Sequence, residues 1–273
     1  MDATLSQKIT ALDKKVEVVQ MQLESFKQGF PFLSLLAPAT PARGIQVWSE
    51  SQVKDYQSYF EKRASELALV KFVPASGAAS RMFKDLFSFL DTAGDQLDEF
   101  TQKFISQLHQ FAFYQDLDAL LQQQGESIAS LLEKKEYKKL VASLLTDSGL
   151  GYGNLPKGLL KFHAYADGNR CPAEEHLVEG TQYGVGKNKE VQIHFTVSPE
   201  HQEGFEAEIN RHLPRLRQQT GLEFKVAFSQ QKKSTDTIAV NASNEPFLEE
   251  DGSLLFRPAG HGALLENLNE ISA

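Results

Sequence analysis

Between Val70 and Phe87 the chain reads VKFVPASGAASRMFKDLF. A short apolar run gives way to Pro74, Ala75, Ser76, Gly77, Ala78, Ala79 and Ser80 in succession, and Arg81 then opens a helical stretch. Small side chains sacrifice packing area and, for glycine, backbone entropy. What they offer is a backbone that another group can approach closely. Strand-like segments recur along the chain: Leu67 to Val73, Leu159 to Tyr165, the alternating Val191, Ile193, Phe195 and Val197, then Leu222, Phe224, Val226 and Phe228, Thr237 to Val240, and Ser253 to Phe256. Helical stretches separate most of them, which predicts an α/β fold with a largely parallel sheet flanked by helices. Ligands of such sheets bind beyond the carboxyl ends of the strands, so the 74–81 junction is the first place to look for a site.

At that junction, open backbone N–H groups and a helix start suit phosphate oxygens. Arg81 adds a planar fork of permanent charge. Tight helix–strand packing with Arg81 in solvent would explain the same residues, and the stretch alone does not choose between the two. It is not a Walker loop, which ends in Gly-Lys-Ser or Gly-Lys-Thr, and only Gly77 supplies a glycine of Gly-x-Gly-x-x-Gly.

Elsewhere the pattern is coarser. Leu5, Ile9, Leu12, Val16, Val19, Leu23 and Phe26 alternate spacings of four and three, one apolar seam along a helix, stopped by Gly29 and Pro31. Such a helix is expected to lie on its own domain, with oligomerisation through it as the alternative. A proline-bearing connection follows, so residues 1–50 read as an N-terminal helix and linker, and 51–273 as the α/β domain. Met82 to about Thr146 is helical in flavour, a helical insertion over about 83–148, with breaks near Gly94 and Gly125. The glycine-rich stretch GLGYGNLPKG, residues 149–158, comes next. Asp167, Gly168 and Asn169 suit a turn. Pro172 suits a helix start with Glu174 and Glu175 in its first turn; these and His176 are read as only beginning that helix. Ser198 and Pro199 open another that ends near Gly221.

Composition narrows the function classes. A net charge of −8 over 273 residues argues against a general nucleic-acid or anionic-membrane binder. One cysteine, Cys171, excludes a disulfide framework and points to a reducing, cytoplasmic setting. The N-terminus lacks the apolar core of a signal peptide, and no window approaches the length of a membrane span. The histidines at 109, 163, 176, 194, 201, 212 and 261 include no His-Glu-x-x-His, and Cys171 has no cysteine partner, so a structural zinc site is not expected. No Gly-x-Ser-x-Gly elbow marks a hydrolase. His194, alternating with apolar neighbours, reads as a core or edge histidine.

The loops in order resemble those of the nucleotide-sugar pyrophosphorylases, nucleotidyltransferases that join a nucleoside triphosphate to a sugar 1-phosphate. Their first loop runs roughly L-A-G-G-x-G-T-R-[LM]; aligning its arginine with Arg81 places Ser80, Ala79 and Gly77 on the threonine, the last glycine and a central glycine. A Pro-Lys-Gly is matched by Pro156, Lys157 and Gly158, and RCPAEEHL from Arg170 to Leu177 resembles a later segment. IHFTVSPEH, VAFSQQ and RPAGHGALLENL are similar to three further segments of the UDP-N-acetylhexosamine branch. Together they cover about residues 67 to 268. PASGAASRM, PKGLLKFH and RPAGHGALLENLN also resemble, nearly word for word, a bacterial domain-of-unknown-function family, number 4301.

The pyrophosphorylase resemblance implies a Rossmann-like, doubly wound sheet of the GT-A-like nucleotidyltransferase type. It implies UTP or another nucleoside triphosphate and a sugar phosphate as partners, with Mg²⁺ whose ligands it does not assign. Ala75, Ser76, Gly77, Ala78, Ala79 and Ser80 would wrap phosphates, with Arg81 and Lys157 as the catalytic cations. Gln230 or Gln231 would read the base, and Gly260, His261 and Gly262 would approach the base or sugar. Lys161 is a weaker phosphate candidate. Departures accompany this. Ser76 and Ala79 replace usual glycines, and about 75 residues separate Arg81 from Lys157. The chain also ends where the resembled enzymes go on to a metal-binding aspartate and a sugar-binding half. A fragment of a longer polypeptide is expected. The alternatives are a catalytically inactive nucleotide-binding or regulatory module and a helix-mediated assembly protein.

Overall fold

The structure, a computed structural model, describes residues 3–94 and 96–271. The described residues up to Leu67 and those from Gln231 onward make one unit, and Ala68–Gln230 makes the other.

In the first unit the heptad seam is divided between two helices, α1 (Ala3–Ala11) and α2 (Val16–Gln28). Asp13, in the left-handed region at φ 55°, makes the break. Ile9, Val19 and Leu23 are buried with Ile238 and Leu254 in a small core, whereas Leu12 and Phe26 stay exposed. Short segments β1 (Thr40–Pro41) and β2 (Gly44–Ile45) follow. Then comes α3 (Glu50–Ala64), whose start is fixed by a capping box in which Ser49 and Gln52 each satisfy the other's backbone N–H.

The second unit begins with β3 (Val70–Pro74), and the small-residue run leaves its carboxyl end. Ser80–Phe83 is a 3₁₀ turn leading directly into α4 (Lys84–Asp91). The helical stretch resolves into α4, α5 (Glu99–Ser106), α6 (Tyr114–Gln123), α7 (Ile128–Glu133) and α8 (Tyr137–Leu145). Their apolar faces form a core of their own, with Leu86, Leu117, Leu121, Leu131, Val141 and Leu144 all buried. The expected strand over Leu159 to Tyr165 is not continuous. Lys157–Leu159 is a 3₁₀ turn, and β4 (His163–Tyr165) pairs antiparallel with β5 (Gly168–Arg170). The reason lies in packing: Leu159 packs against the sheet core while its neighbour Leu160 is buried in the helical core.

Pro172 starts α9 (Pro172–Tyr183), and β6 (Glu190–Val197) follows. A 3₁₀ turn at Pro199–His201 leads into α10 (Gln202–Thr220). Gly221 closes it in the left-handed conformation, its N–H bonded to Arg217 O. β7 (Glu223–Gln230) completes a three-stranded sheet of order β3-β6-β7, both pairs parallel. Val73, Val191, Ile193, Phe195, Val197 and Phe224 share the sheet's core with Leu177 of α9 and Phe205, Ile209 and Leu213 of α10. Gly180 permits the close approach of α9, since a Cβ there would meet Val191 Cγ1 at 2.7 Å. On the opposite face, His194 stacks on Phe72 at 5.6 Å and shares a 2.8 Å hydrogen bond with Ser229, which satisfies this strand histidine.

Beyond β7 the chain returns to the first unit, with β8 (Thr237–Ile238) antiparallel to β9 (Phe256–Arg257) and α11 (Leu265–Asn269) last. Among the described residues no helix is long and apolar enough to cross a membrane.

Candidate functional site

The carboxyl edge of the parallel sheet is where the small-residue run and the Pro-Lys-Gly segment meet. Ala75 N–H donates to Thr196 O at 2.8 Å, carrying the pairing of β3 with β6 one residue past the strand. Lys157 N–H then donates to Gly77 O at 3.0 Å, and Ala78 bridges Pro156. Two segments almost eighty positions apart are thereby tied backbone to backbone. Between them lies a cavity of about 160 Å³ lined by Ala75, Gly77, Lys157, Gly158, His176 and Phe205, among others.

The glycines in this region have different causes. In GLGYGNLPKG a Cβ on Gly149 would come within 2.0 Å of Ser143 O, on Gly153 within 2.4 Å of Phe87, and on Gly158 within 2.6 Å of Phe205. Packing accounts for those three. At Gly77 a Cβ would meet nothing within 4 Å, and its φ lies outside the left-handed range. Neither packing nor backbone geometry demands glycine there, and what its absent side chain leaves is open space beside the cavity.

The other predicted residues are distributed as follows. Ser76, Ala78, Ser80 and Arg81 lie on the same loop and turn, with Arg81 exposed. Ala79 is fully buried in the helical core, so its side chain serves packing. Neither Arg81 nor Lys157 forms an ion pair among the described residues, whereas Lys161 is paired with Asp116 at 2.7 Å. Gln230 donates to Gln202 at 2.9 Å on the surface of the second unit. Gln231, Gly260, His261 and Gly262 belong to the first unit. There the Gln231 amide donates to Ala259 O at 3.0 Å, tying it to the Gly-His-Gly loop. Gly262 lines a cavity of about 720 Å³ with Lys14, Gln22, Thr235 and Asp236. Lys14 is held there by Asp236 at 2.9 Å and by the Lys233 carbonyl.

One site residue escaped the sequence reading. His176, taken there only as part of a helix start, lines the cavity from α9, where it shares a face with Pro172 and Ala173 by the i, i+3, i+4 rule. Burial, seconded by the charge of Lys71, lowers its pKa, so the ring is neutral near neutral pH. Its Nδ1 is 3.5 Å from Glu179 Oε2, beyond a good hydrogen bond. Outside the cavity lining, Thr196, opposite Pro74 in the β3–β6 register, is fully buried, and its hydroxyl has no hydrogen-bond partner among the described residues. Alternation along β6 could have marked Thr196 as the polar residue nearest the strand's carboxyl end; nothing in the sequence marked its lack of a partner.

The profile of a family described as Domain of unknown function (DUF4301) matches residues 3–273, and the chain belongs to that family. No curated protein and no solved structure matches the chain.

Proposed function

We propose that this chain is a nucleotidyltransferase-like, phosphate-binding protein, acting on a nucleoside triphosphate, UTP first among them, and a sugar 1-phosphate. The observation that carries the reading is the meeting of Gly77 with Lys157 at the carboxyl edge of a parallel sheet, around a small cavity. That is the location where α/β sheets hold ligands, and at about 160 Å³ the cavity suits a phosphoryl group rather than a whole nucleotide, which needs several hundred Å³. The proposed sheet is of the Rossmann-like, GT-A-like kind. A sugar phosphate oxygen would attack the α-phosphorus, and the bond to the β-phosphate oxygen would break, releasing pyrophosphate. Such transfer relies on positioning and charge stabilisation, which is the role given to Lys157 and Arg81. Gln230, of the same unit as that edge, is the proposed contact for the base.

The lining of the Gly77 cavity contains no carboxylate side chain. Those residues therefore do not fit a protein-held Mg²⁺. This favours a second reading, a module that binds nucleotide without turning it over.

The test is a thermal-shift panel of UTP, ATP, CTP, GTP and UDP-sugars with Mg²⁺, run on the wild type, Arg81→Ala and Lys157→Ala, followed by a pyrophosphate-release assay. A ligand at about a hundred times its dissociation constant stabilises by roughly 2.7 kcal/mol. A base-selective shift lost in both variants supports the site, and pyrophosphate release then decides between turnover and binding alone. A cooperative melt that no nucleotide moves refutes both readings.

A further inference from the structure

The first unit carries a long stretch of chain outside its core. In α3, 15 residues long, only Ala64 is buried and every other position is exposed. A helix of that length standing alone in water is marginal, and helices in proteins owe most of their stability to packing of an apolar face. Such a face is present. Val53, Tyr56 and Phe60 follow the spacing of three and four that sets side chains on one side of a helix, and all three are exposed. The segment before α3 extends it. Trp48 lies against Tyr56 with ring centroids 4.8 Å apart, and Ile45, Val47 and Trp48 line an open cavity of about 640 Å³ with Gln52 and Tyr56. Farther upstream, Phe30, Phe32, Leu33, Leu35 and Leu36 are each at least 81% exposed.

The area involved is that of an interface. Phe30, Phe32, Trp48, Tyr56, Tyr59 and Phe60 are between 41% and 102% exposed. At about 150–250 Å² for a whole aromatic side chain, their exposed parts amount to about 800 Å², one partner's share of a standard protein–protein interface. The largest apolar patch on a monomer is typically about 300–600 Å².

Charge identifies the occupant. Residues 29–49 hold a single charged side chain, Arg43, and depletion of charge with enrichment of aromatics marks the centre of a protein interface. A helix that lies on a lipid surface is rich in Lys and Arg. In α3, Glu50, Asp55 and Glu61 balance Lys54, Lys62 and Arg63. These charges are also ordered, with Glu50 in the first turn and Lys62 and Arg63 in the last. Two copies of α3 laid antiparallel therefore bring Glu50 of each to the basic end of the other, and their helix dipoles oppose. Such a contact is self-complementary and closes as a two-fold dimer. The Arg63–Glu66 ion pair, with side chains 49% and 64% exposed, is of the surface kind that exchanges partners at little cost.

We propose that this protein forms a two-fold homodimer in which α3 packs antiparallel on α3 of a second copy through Val53, Tyr56 and Phe60, flanked by the apolar stretch 30–48. The seam of α1 and α2 takes no part, because Ile9, Val19 and Leu23 are already buried in the first unit's own core. The dimer does not depend on the nucleotide reading.

The experiment is sedimentation equilibrium of the full chain over a dilution series from about 100 μM to about 0.1 μM. The wild type should reach twice the mass of one chain. Tyr56→Glu and Phe60→Glu, both at exposed positions, should each raise the dimer dissociation constant at least about 30-fold, the scale of an interface hot spot. Glu50→Lys alone, and Lys62→Glu with Arg63→Glu, set like charges against each other at both ends and should each weaken the dimer. The chain carrying all three reversals restores the complementarity and should regain it. A mass of one chain throughout the series overturns the proposal, whether the face then serves a lipid surface or a different protein. A dimer that Tyr56→Glu and Phe60→Glu leave unchanged uses another surface and overturns it equally. If Phe60→Glu fails to fold, the three charge reversals, which touch only exposed side chains, still decide: a triple variant no tighter than its components refutes the antiparallel pairing.

Discussion

Gly77 and Gly158 line the same cavity, yet the structure gives them opposite reasons for being glycine, and substituting each by alanine separates function from packing. At Gly158 the new Cβ would sit 2.6 Å from Phe205 Cζ and 2.7 Å from Cε1. Phe205 is fully buried among Phe195, Phe228 and the sheet core, so its ring has little room to yield, and overpacking of this kind costs about 1–3 kcal/mol. At Gly77 the Cβ meets nothing within 4 Å, so the substitution should be neutral or stabilise by about 0.4–1 kcal/mol through the unfolded chain. For a unit of this size roughly 2–4 °C accompanies each kcal/mol. Gly158→Ala should therefore melt about 2–12 °C below the wild type, and Gly77→Ala level with it or slightly above. Differential scanning fluorimetry reads both, and repeating it with the nucleotide that stabilises the wild type best completes the test. The added methyl at Gly77 stands where phosphate is proposed to approach, and should weaken binding at least tenfold, removing about 1.4 kcal/mol of the ligand-induced stabilisation. Should Gly77→Ala alone melt several degrees low, the glycine is structural and the argument from open space fails. If it melts normally and keeps the full ligand shift, phosphate does not approach along that backbone.

Two further outcomes test the electrostatics and the polar interior. Hydrogen bonds from Lys134, Lys139 and Ser130 hold the pKa of Glu126 down at about 2. A carboxylate with a depressed folded-state pKa contributes stability above its unfolded value near 4.5 and loses it as pH falls toward 2; the melting-temperature gap between wild type and Glu126→Gln should accordingly be widest above pH 5 and close by about pH 2, and a gap that widens in acid would reverse the assignment. Thr196→Val removes a buried hydroxyl that has no partner, and since an unsatisfied buried group costs about 1–3 kcal/mol, the variant should melt at or above the wild-type temperature; a drop of several degrees would mean that the hydroxyl is satisfied after all.

Legibility in the sequence followed the physics of each element. Strands β6 and β7 could be read because one face of the sheet is buried and period-two alternation records that directly. Helices α9 and α10 could be read because Pro172, Pro199 and Gly221 punctuate them in ways that backbone sterics enforce. The break between α1 and α2 could not, because it rests on a left-handed Asp13 with no glycine or proline to announce it. The stretch over 159–165 misled because Leu159 and Leu160 serve two different cores, a tertiary fact that resembles a continuous apolar run. At the site, the small-residue loop stood out by composition, and Lys157 through the Pro-Lys-Gly resemblance. His176 did not, since its meaning depends on what α9 and the carboxyl edge of the sheet bring to one another.

The placement of the helical core has a kinetic consequence. Pairing β3 with β6 sets Val70 opposite Gln192, so the sheet cannot register until a long stretch of chain has been gathered in, and the entropy of closing a loop grows with its length. Most of that stretch is α4 to α8, which bury an apolar core among themselves, through pairs adjacent in the chain such as α7 and α8 and through α4 against α8. Local contacts form faster than distant ones. Once the helices have collapsed, the loop still to be closed is shortened to the few segments that flank them. The insertion between the first two strands of the sheet thus acts as an internal scaffold for their meeting, and substitutions in its core, at Leu131 or Leu144 for example, would slow the folding of a sheet whose own core is a separate cluster.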